Sequence, residues 1–377
     1  MSLASMATRN VTSVFMSADA VGGVWTYAIE LARGLCRAGI DLHLAVLGPR
    51  PSSAQQAQAA LIKSLSLTIT GLPLDWTAVD EDELDDVERE LKALAFRSGA
   101  DLVHLNAPAH VGKAGWPFPL VVAAHSCVAT WWQALRPMPL PDDLAWRARR
   151  TGAGLALADK VLVPSRAFAR SVVSAYGSGL PITVVCNGRS LPQCTGHAKD
   201  TVLTTGRLWD PAKNVAAIDQ AARLSRVPIY AAGAIRGPNS ERPSFPHLRL
   251  LGSLSEDDLA PWYARASLFV SVSKYEPFGL AVLEAAQAGA ALILSEIPAF
   301  IELWNDRALF VPADDHRSLA EAIARLRSDP EATKELADKA RTRAKKFSAD
   351  AMLAGTLRAY QQAIDAHARR HDSRSAA

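Results

Sequence analysis

Short β-rich apolar runs alternate with longer segments of helical period along almost all of this 377-residue chain. That alternation restricts the fold to parallel sheets with crossover helices, an α/β architecture. The first series of runs covers residues 11–17, 41–47, 65–69, 102–105, 120–124, 160–163 and 182–185. Between them lie helical patterns such as 25–37, which places Ile29, Leu31, Ala32 and Leu35 on one side. The acidic run 80–90 carries Leu84 and Val87, with Leu91 next, at helical spacing, so it reads as the solvated face of an amphipathic helix. A second series covers 201–205, 229–232, 248–250, 268–272, 291–294 and 309–311, with helices starting near Pro211, Leu259, Phe278 and Ser318.

Residues 187–200 are short of apolar side chains and rich in turn formers, which makes them a linker. The expected organisation is therefore two Rossmann-like doubly wound domains, 1–190 and 200–347, facing across a cleft. A last helix at about 348–370, carrying Met352, Leu353, Leu357, Tyr360 and Ile364, is expected to return to the first domain. Ligands of such sheets sit at the carboxyl ends of the strands.

Composition narrows the function classes. A net charge of +3 does not argue for a nucleic-acid partner. No run of 18 apolar residues is present to span a bilayer, and the first ten residues lack the apolar core of a signal peptide. Met1 to Leu3 resemble an expression scar. Cys36, Cys127, Cys186 and Cys194 form no CxxC pair, which fits reduced thiols and a cytoplasmic protein. No DxD or His/Asp cluster has a plausible ligand geometry, and Asp257-Asp258 reads as a helix start after Ser255, so neither a metal nor any other cofactor is expected.

The most informative segment is 273–285, where a strand ends near Ser273 and a helix is expected to begin close to Phe278. Pro277 suits a first helical turn. Glu276 then precedes the helix and Glu284 lies about two turns along it. Unpaired N–H groups near Phe278, Gly279 and Leu280 could hold a sugar hydroxyl together with the Glu276 carboxylate. Gly279 would let a ligand approach the backbone. Glu284, set among Leu280, Val282, Leu283, Ala285 and Ala286, could take both hydroxyls of a ribose. The plainer alternative makes Glu276 a helix-terminal charge and Glu284 a surface residue.

Glu276-x7-Glu284, with Pro-Phe-Gly-Leu between, resembles the E-x7-E signature of retaining glycosyltransferases of the GT-B fold, and of glycosyltransferase family 4 in particular. Ala158-Asp159-Lys160-Val161-Leu162-Val163-Pro164-Ser165 and Val184-Val185-Cys186-Asn187-Gly188 are similar to two further stretches of that family. Gly206-Arg207-Leu208, with Lys213 after it, resembles its phosphate-binding element. The resemblance covers about residues 17–329. It departs from the family at Arg189-Ser190, where many members have Val-Asp, and at 290–294.

The resemblance implies a nucleoside-diphosphate sugar as donor, a hexose-type sugar transferred, and catalytic or binding roles for Arg207, Lys213, His125 and Glu276. Two cations after the strand 201–205 would stabilise the charge growing on a departing diphosphate, although each could also be an ordinary surface cation. Gly22-Gly23 opens a helix whose backbone amides could face an anion, and it resembles the family's glycine loop. Asp19 just before it could accept from an acceptor hydroxyl or simply form an Asx turn. His125, following the strand 120–124, could position a sugar hydroxyl through either ring nitrogen and resembles the family's histidine there. His43, His104 and His110 read as packing or surface residues.

Trp131 and Trp132, followed by Arg147, Arg149 and Arg150, could line an acceptor groove or touch a lipid headgroup, which would make membrane contact peripheral. Core packing below a loop is the simpler reading of the two tryptophans. No compelling nucleophile is seen outside Glu276, to which the resemblance assigns hydroxyl binding, so a front-side, metal-independent transfer to a hydroxyl acceptor is expected. Oligomeric state and the identity of the acceptor (glycan, lipid-linked or small molecule) are not encoded in any motif. A sugar-nucleotide epimerase or hydrolase, or a non-catalytic two-lobed binding protein, would share the fold without needing all these elements together.

Overall fold

A computed structural model of the chain describes residues 11–191, 199–237 and 242–375, with side chains up to residue 370. Cys194, residues 192–198 of the linker and Met1 to Leu3 fall outside the described residues. The chain divides into two compact units, Met1–Gly188 with Ala349–Ala377, and Arg189–Ser348.

The first unit begins with β1 (Ser13–Asp19), α1 (Gly23–Arg37), β2 (Asp41–Leu47), α2 (Ser53–Ala60) and β3 (Leu65–Ile69). It continues with α3 (Glu81–Ser98), β4 (Leu102–Leu105), β5 (Leu120–Ala123), α4 (Val128–Leu135) and α5 (Asp142–Leu157). β6 (Lys160–Val163), α6 (Arg166–Tyr176) and β7 (Ile182–Val184) complete the run. Every strand pair is parallel and the order is β3-β2-β1-β4-β5-β6-β7. A parallel sheet needs both faces covered, which explains why β4 and β5 are buried along their whole length. The acidic run forms the outer face of α3: Asp80 caps its first turn, Gly99 ends it at φ 66°, and Leu84, Val87 and Leu91 are fully buried.

The second unit holds β8 (Thr201–Thr205), α7 (Val215–Ser225), β9 (Ile229–Ala232), β10 (Arg249–Gly252), α8 (Glu256–Arg265) and β11 (Ala266–Ser271). After these come α9 (Leu280–Gln287), β12 (Ala291–Ser295), α10 (Pro298–Trp304), β13 (Leu309–Val311), α11 (His316–Ser328) and α12 (Pro330–Ala344). Its sheet is again parallel, in the order β10-β9-β8-β11-β12-β13. The 27-residue α13 (Ala349–Ser375) then belongs to the first unit. Met352, Leu353, Leu357 and Tyr360 on it join the core built by β1, β2 and α1. Gly34 of α1 makes that packing possible, because a Cβ there would sit 3.2 Å from Leu353.

Two sequence expectations shift. Pro211 opens a 3-10 turn (Pro211–Lys213), and α7 begins only at Val215, after Asn214 in the left-handed region. Likewise α9 starts at Leu280 with Gly279 as its N-cap, so Pro277 and Phe278 lie in the loop before the helix and not in its first turn. Phe278 is buried edge-on against Phe347, which pins that loop to the unit's own core.

Candidate active site

In each sheet the strand order reverses once, between β1 and β4 in the first unit and between β8 and β11 in the second. The carboxyl ends flanking such a reversal open a crevice where doubly wound sheets bind ligands. The residues singled out from the sequence lie at these ends.

In the second unit, β8 runs into Gly206 at φ 149°, then Arg207. The turn that follows is stiff. Asp210 Oδ1 accepts from the Ala212 amide at 2.9 Å, and Asp210 Oδ2 takes Arg207 Nη2 at 2.7 Å. Arg207 also lies over the Trp209 ring, and its Nε is buried with no hydrogen-bond partner among the described residues. Gly233, at the end of β9, is required by this turn: a Cβ there would lie 1.7 Å from the Gly206 carbonyl oxygen.

Lys213, at the end of the turn, forms an ion pair with Glu276 Oε2, both side chains being mostly buried. The backbone holds them together, since Lys274 N donates to Ala212 O at 2.8 Å and Asn214 Nδ2 donates to Val272 O at 3.0 Å. Gly279, at φ 91°, takes a conformation that side chains other than glycine rarely adopt. A Cβ there would also crowd Phe300 at 2.9 Å, so the glycine serves packing. The first amides of α9, beginning with Leu280, have no acceptor within the helix and face the same end of the sheet as Glu276.

Glu284 is not a surface residue: its side chain is 12% exposed and both carboxylate oxygens are engaged. Arg189 Nε donates to Oε1 at 2.9 Å and Tyr263 donates its hydroxyl to Oε2 at 2.9 Å. The Tyr263 hydroxyl is also 2.9 Å from Thr205 Oγ1 on β8, and Arg189 Nη2 reaches Glu256 at 2.5 Å. Burial pushes the Glu284 carboxyl above its ordinary range, opposed by Arg189 and the Tyr263 hydroxyl. A carboxylate has about four lone-pair sites, so these two donors leave capacity for ribose hydroxyls.

In the first unit, Asp19 Oδ1 accepts from the Val21 amide at 2.7 Å, the Asx turn, and Gly22 at φ 103° caps α1. Gly23 begins that helix. Next to this strand end, Asn106 follows β4 and His125 follows β5. His125 Nε2 lies 2.7 Å from Asn106 Oδ1, and Tyr27 of α1 meets the His125 ring edge-on at 4.5 Å. Burial lowers the His125 pKa to about 4. Asp75 is pushed up to about 6, by burial first and then by the Asp19 carboxylate.

Trp131 and Trp132 are partly buried on α4, where Thr130 is the fully buried residue, and Trp132 Nε1 donates to Met138 O at 2.9 Å. Arg150 is not available to a groove: it is 4% exposed, donates to Ala109 O and Leu84 O, and pairs with Asp85. His104 and His110 are buried, as packing residues should be. Among the described residues, no three His, Cys, Asp or Glu side chains gather closely enough to hold a metal ion, and no helix is long and apolar enough to cross a membrane.

Asn106, Arg189, Asp210 and Tyr263 were not picked out as site residues from the sequence. Each lies far in the chain from at least one partner or, for Asp210, hides in a turn. Arg189 alone carried a signal, as a departure from the family pattern.

Two parallel doubly wound units with polar residues at both switch points define a GT-B glycosyltransferase. The chain belongs to the family 4 type: the profile of Glycosyltransferase Family 4 matches residues 21–191, and that of Glycosyl transferases group 1 matches residues 199–329. A curated relative, a D-inositol 3-phosphate glycosyltransferase of Streptomyces bingchenggensis, is 25% identical over 92% of this chain and 86% of its own. Among solved structures, sucrose-phosphate synthase from Thermosynechococcus elongatus superposes with a TM-score of 0.76 at 20% identity, covering 94% of this chain and 100% of that one. Anabaena HepE in complex with UDP-glucose gives 0.69 at 18% identity, over 91% and 97%. These likenesses bear out the two Rossmann-like domains.

Proposed function

We propose that this glycosyltransferase moves a hexose-type sugar from a nucleoside-diphosphate sugar to a hydroxyl acceptor with retention of configuration and without a metal. The observation that carries the reading is the Lys213–Glu276 ion pair at the β8/β11 switch point, with the engaged Glu284 on the helix that follows. Glu284 would hold the ribose, and Lys213 and Arg207 the diphosphate. Glu276 and the first amides of α9 would hold the transferred sugar. In the first unit, Asp19, the Gly22-Gly23 turn and His125 would contact the acceptor or the reacting sugar.

As the sugar–phosphate bond breaks, negative charge grows on the leaving diphosphate. Lys213 and Arg207 would stabilise it more strongly in the transition state than in the ground state, which is what lowers a barrier. Glu276 is held by a cation and so suits hydroxyl binding better than nucleophilic attack. The acceptor proton would pass to the leaving phosphate oxygen on the same face, which retains configuration.

A thermal-shift screen of UDP-, GDP-, ADP- and TDP-sugars identifies the donor. Product analysis by NMR then reads the anomeric configuration, with D-inositol 3-phosphate as a first acceptor because a relative is named for it. An inverted anomer sinks the front-side path, and release of free sugar alone favours a hydrolase. Protection of activity against chelators supports metal independence.

A further inference from the structure

Three adjacent strand ends of the first unit are tied by hydrogen bonds that fix where one proton sits. Asn106 Nδ2 lies 2.6 Å from the Ser17 carbonyl oxygen of β1. The Asn106 amide N–H donates to the Ser17 hydroxyl at 3.2 Å. A carbonyl only accepts, so the side-chain amide nitrogen must face Ser17 and its oxygen must face His125. That oxygen also only accepts, and it lies 2.7 Å from His125 Nε2. The proton of the neutral ring is therefore on Nε2, and Nδ1 carries a lone pair.

The surroundings keep the ring neutral. Asn106 is buried, the Tyr27 ring packs edge-on against His125, and the buried His104 of β4 lies on the other side of Tyr27 with its Nδ1 2.8 Å from the Tyr360 hydroxyl. Among the described residues, His125 Nδ1 has no hydrogen-bond partner, while Nε2 has Asn106.

We infer that Asn106 is a positioning residue that fixes His125 as the Nε2–H tautomer, so that Nδ1 accepts a hydrogen bond from a hydroxyl of the bound sugar. This rests on the transferase reading given above. It sharpens the role of His125 from contact through either nitrogen to acceptance through one. A ring fixed in this way cannot donate to the leaving phosphate, which separates its work from that of Lys213 and Arg207.

The test is long-range 1H–15N correlation of the histidine rings in labelled full-length protein, with the His125 signals assigned by their loss in H125Q. Wild-type protein should show the Nε2–H pattern. N106L, close in shape but without an acceptor, should lose it, whereas N106D keeps an oxygen toward Nε2 and should retain it above neutral pH. An Nδ1–H ring in the wild type, or an unchanged spectrum in N106L, overturns the proposal. In turnover, N106L should lose about tenfold in kcat, the size expected for one oriented hydrogen bond. Its donor KM should stay near the wild-type value, and N106D should lie closer to wild type than N106L. A lost tautomer with unchanged kcat overturns the role given to Nδ1. If the wild-type protein only hydrolyses donor, the transfer reading fails, and the same comparison is then made on hydrolysis.

Discussion

Arg189 Nε and Glu284 Oε1, 95 residues apart in sequence, meet at 2.9 Å in a site where neither side chain is more than 12% exposed. The contact works against the burial that drives the Glu284 carboxyl toward its protonated form. Desolvation favours the protonated form, and the guanidinium opposes it.

Replacing Arg189 with Met removes the guanidinium paired with Glu284. Removing one partner of a buried pair costs about 3 kcal/mol, and the Glu284 carboxyl should rise further. Between the unfolded carboxyl value and this raised one, the folded state holds the extra proton. The stability of R189M should therefore fall as pH rises through that window, more steeply than in wild type. Urea unfolding as a function of pH reads the slope. An R189M midpoint equal to wild type at neutral pH would remove Arg189 from this role.

Glu284→Ala should weaken binding of the donor nucleotide by about tenfold or more, since charge-assisted hydrogen bonds to it are lost. Calorimetry with the nucleotide that shifts the melting temperature measures this. Wild-type affinity in E284A would mean that the ribose is held elsewhere.

Gly233→Ala tests whether the loop of Arg207 depends on backbone contact. With a Cβ 1.7 Å from Gly206 O and φ at 142°, the variant can only be accommodated by moving the β8 turn. The expected cost is about 3 kcal/mol, with turnover falling together with stability. Wild-type melting and turnover would show that the turn yields freely.

Three buried histidines of the first unit are expected to contribute to its acid sensitivity. Burial lowers His104 to about 3 and both His110 and His125 to about 4. The unfolded chain takes up protons near its ordinary histidine value of about 6.5, the native state only far below it. Their contribution is thus complete above about pH 6.5 and is lost as pH falls toward 4. His110→Phe should flatten that decline. His110 is also buried with neither ring nitrogen partnered among the described residues, so the apolar ring should leave neutral-pH stability unchanged or raised. A decline as steep as wild type would place the acid sensitivity in other groups.

The sheets were legible because parallel strands buried on both faces become continuous apolar runs, as in Leu120–Ala123. The edge strand Arg249–Gly252, half-exposed, is displaced from the expected 248–250 for the same reason in reverse. Glu276 and Glu284 were legible through their spacing within one segment. Arg189, Asn106 and Tyr263 were not, because a hydrogen bond between residues far apart in the chain leaves no periodic trace. The start of α9 was misplaced because Pro277 marks the loop before the N-cap here, and the left-handed Gly279 marks the boundary.

The Lys213–Glu276 pair yields the most discriminating comparison. Glu276 pairs with Lys213, the cation that the proposed leaving diphosphate would need. Lys213→Ala should lower turnover by about tenfold or more, because a charge aimed at the transition state is removed. Glu276→Gln should act oppositely on two ligands. It releases Lys213, so the free nucleoside diphosphate should bind as tightly as to wild type or more so. It also removes the carboxylate that would grip the sugar, so the nucleotide sugar should bind more weakly. Calorimetric titration of E276Q with both forms of the same nucleotide reads the ratio. Equal weakening of the two would mean that Glu276 only supports the loop, and wild-type turnover in K213A would leave the leaving group without its proposed cation.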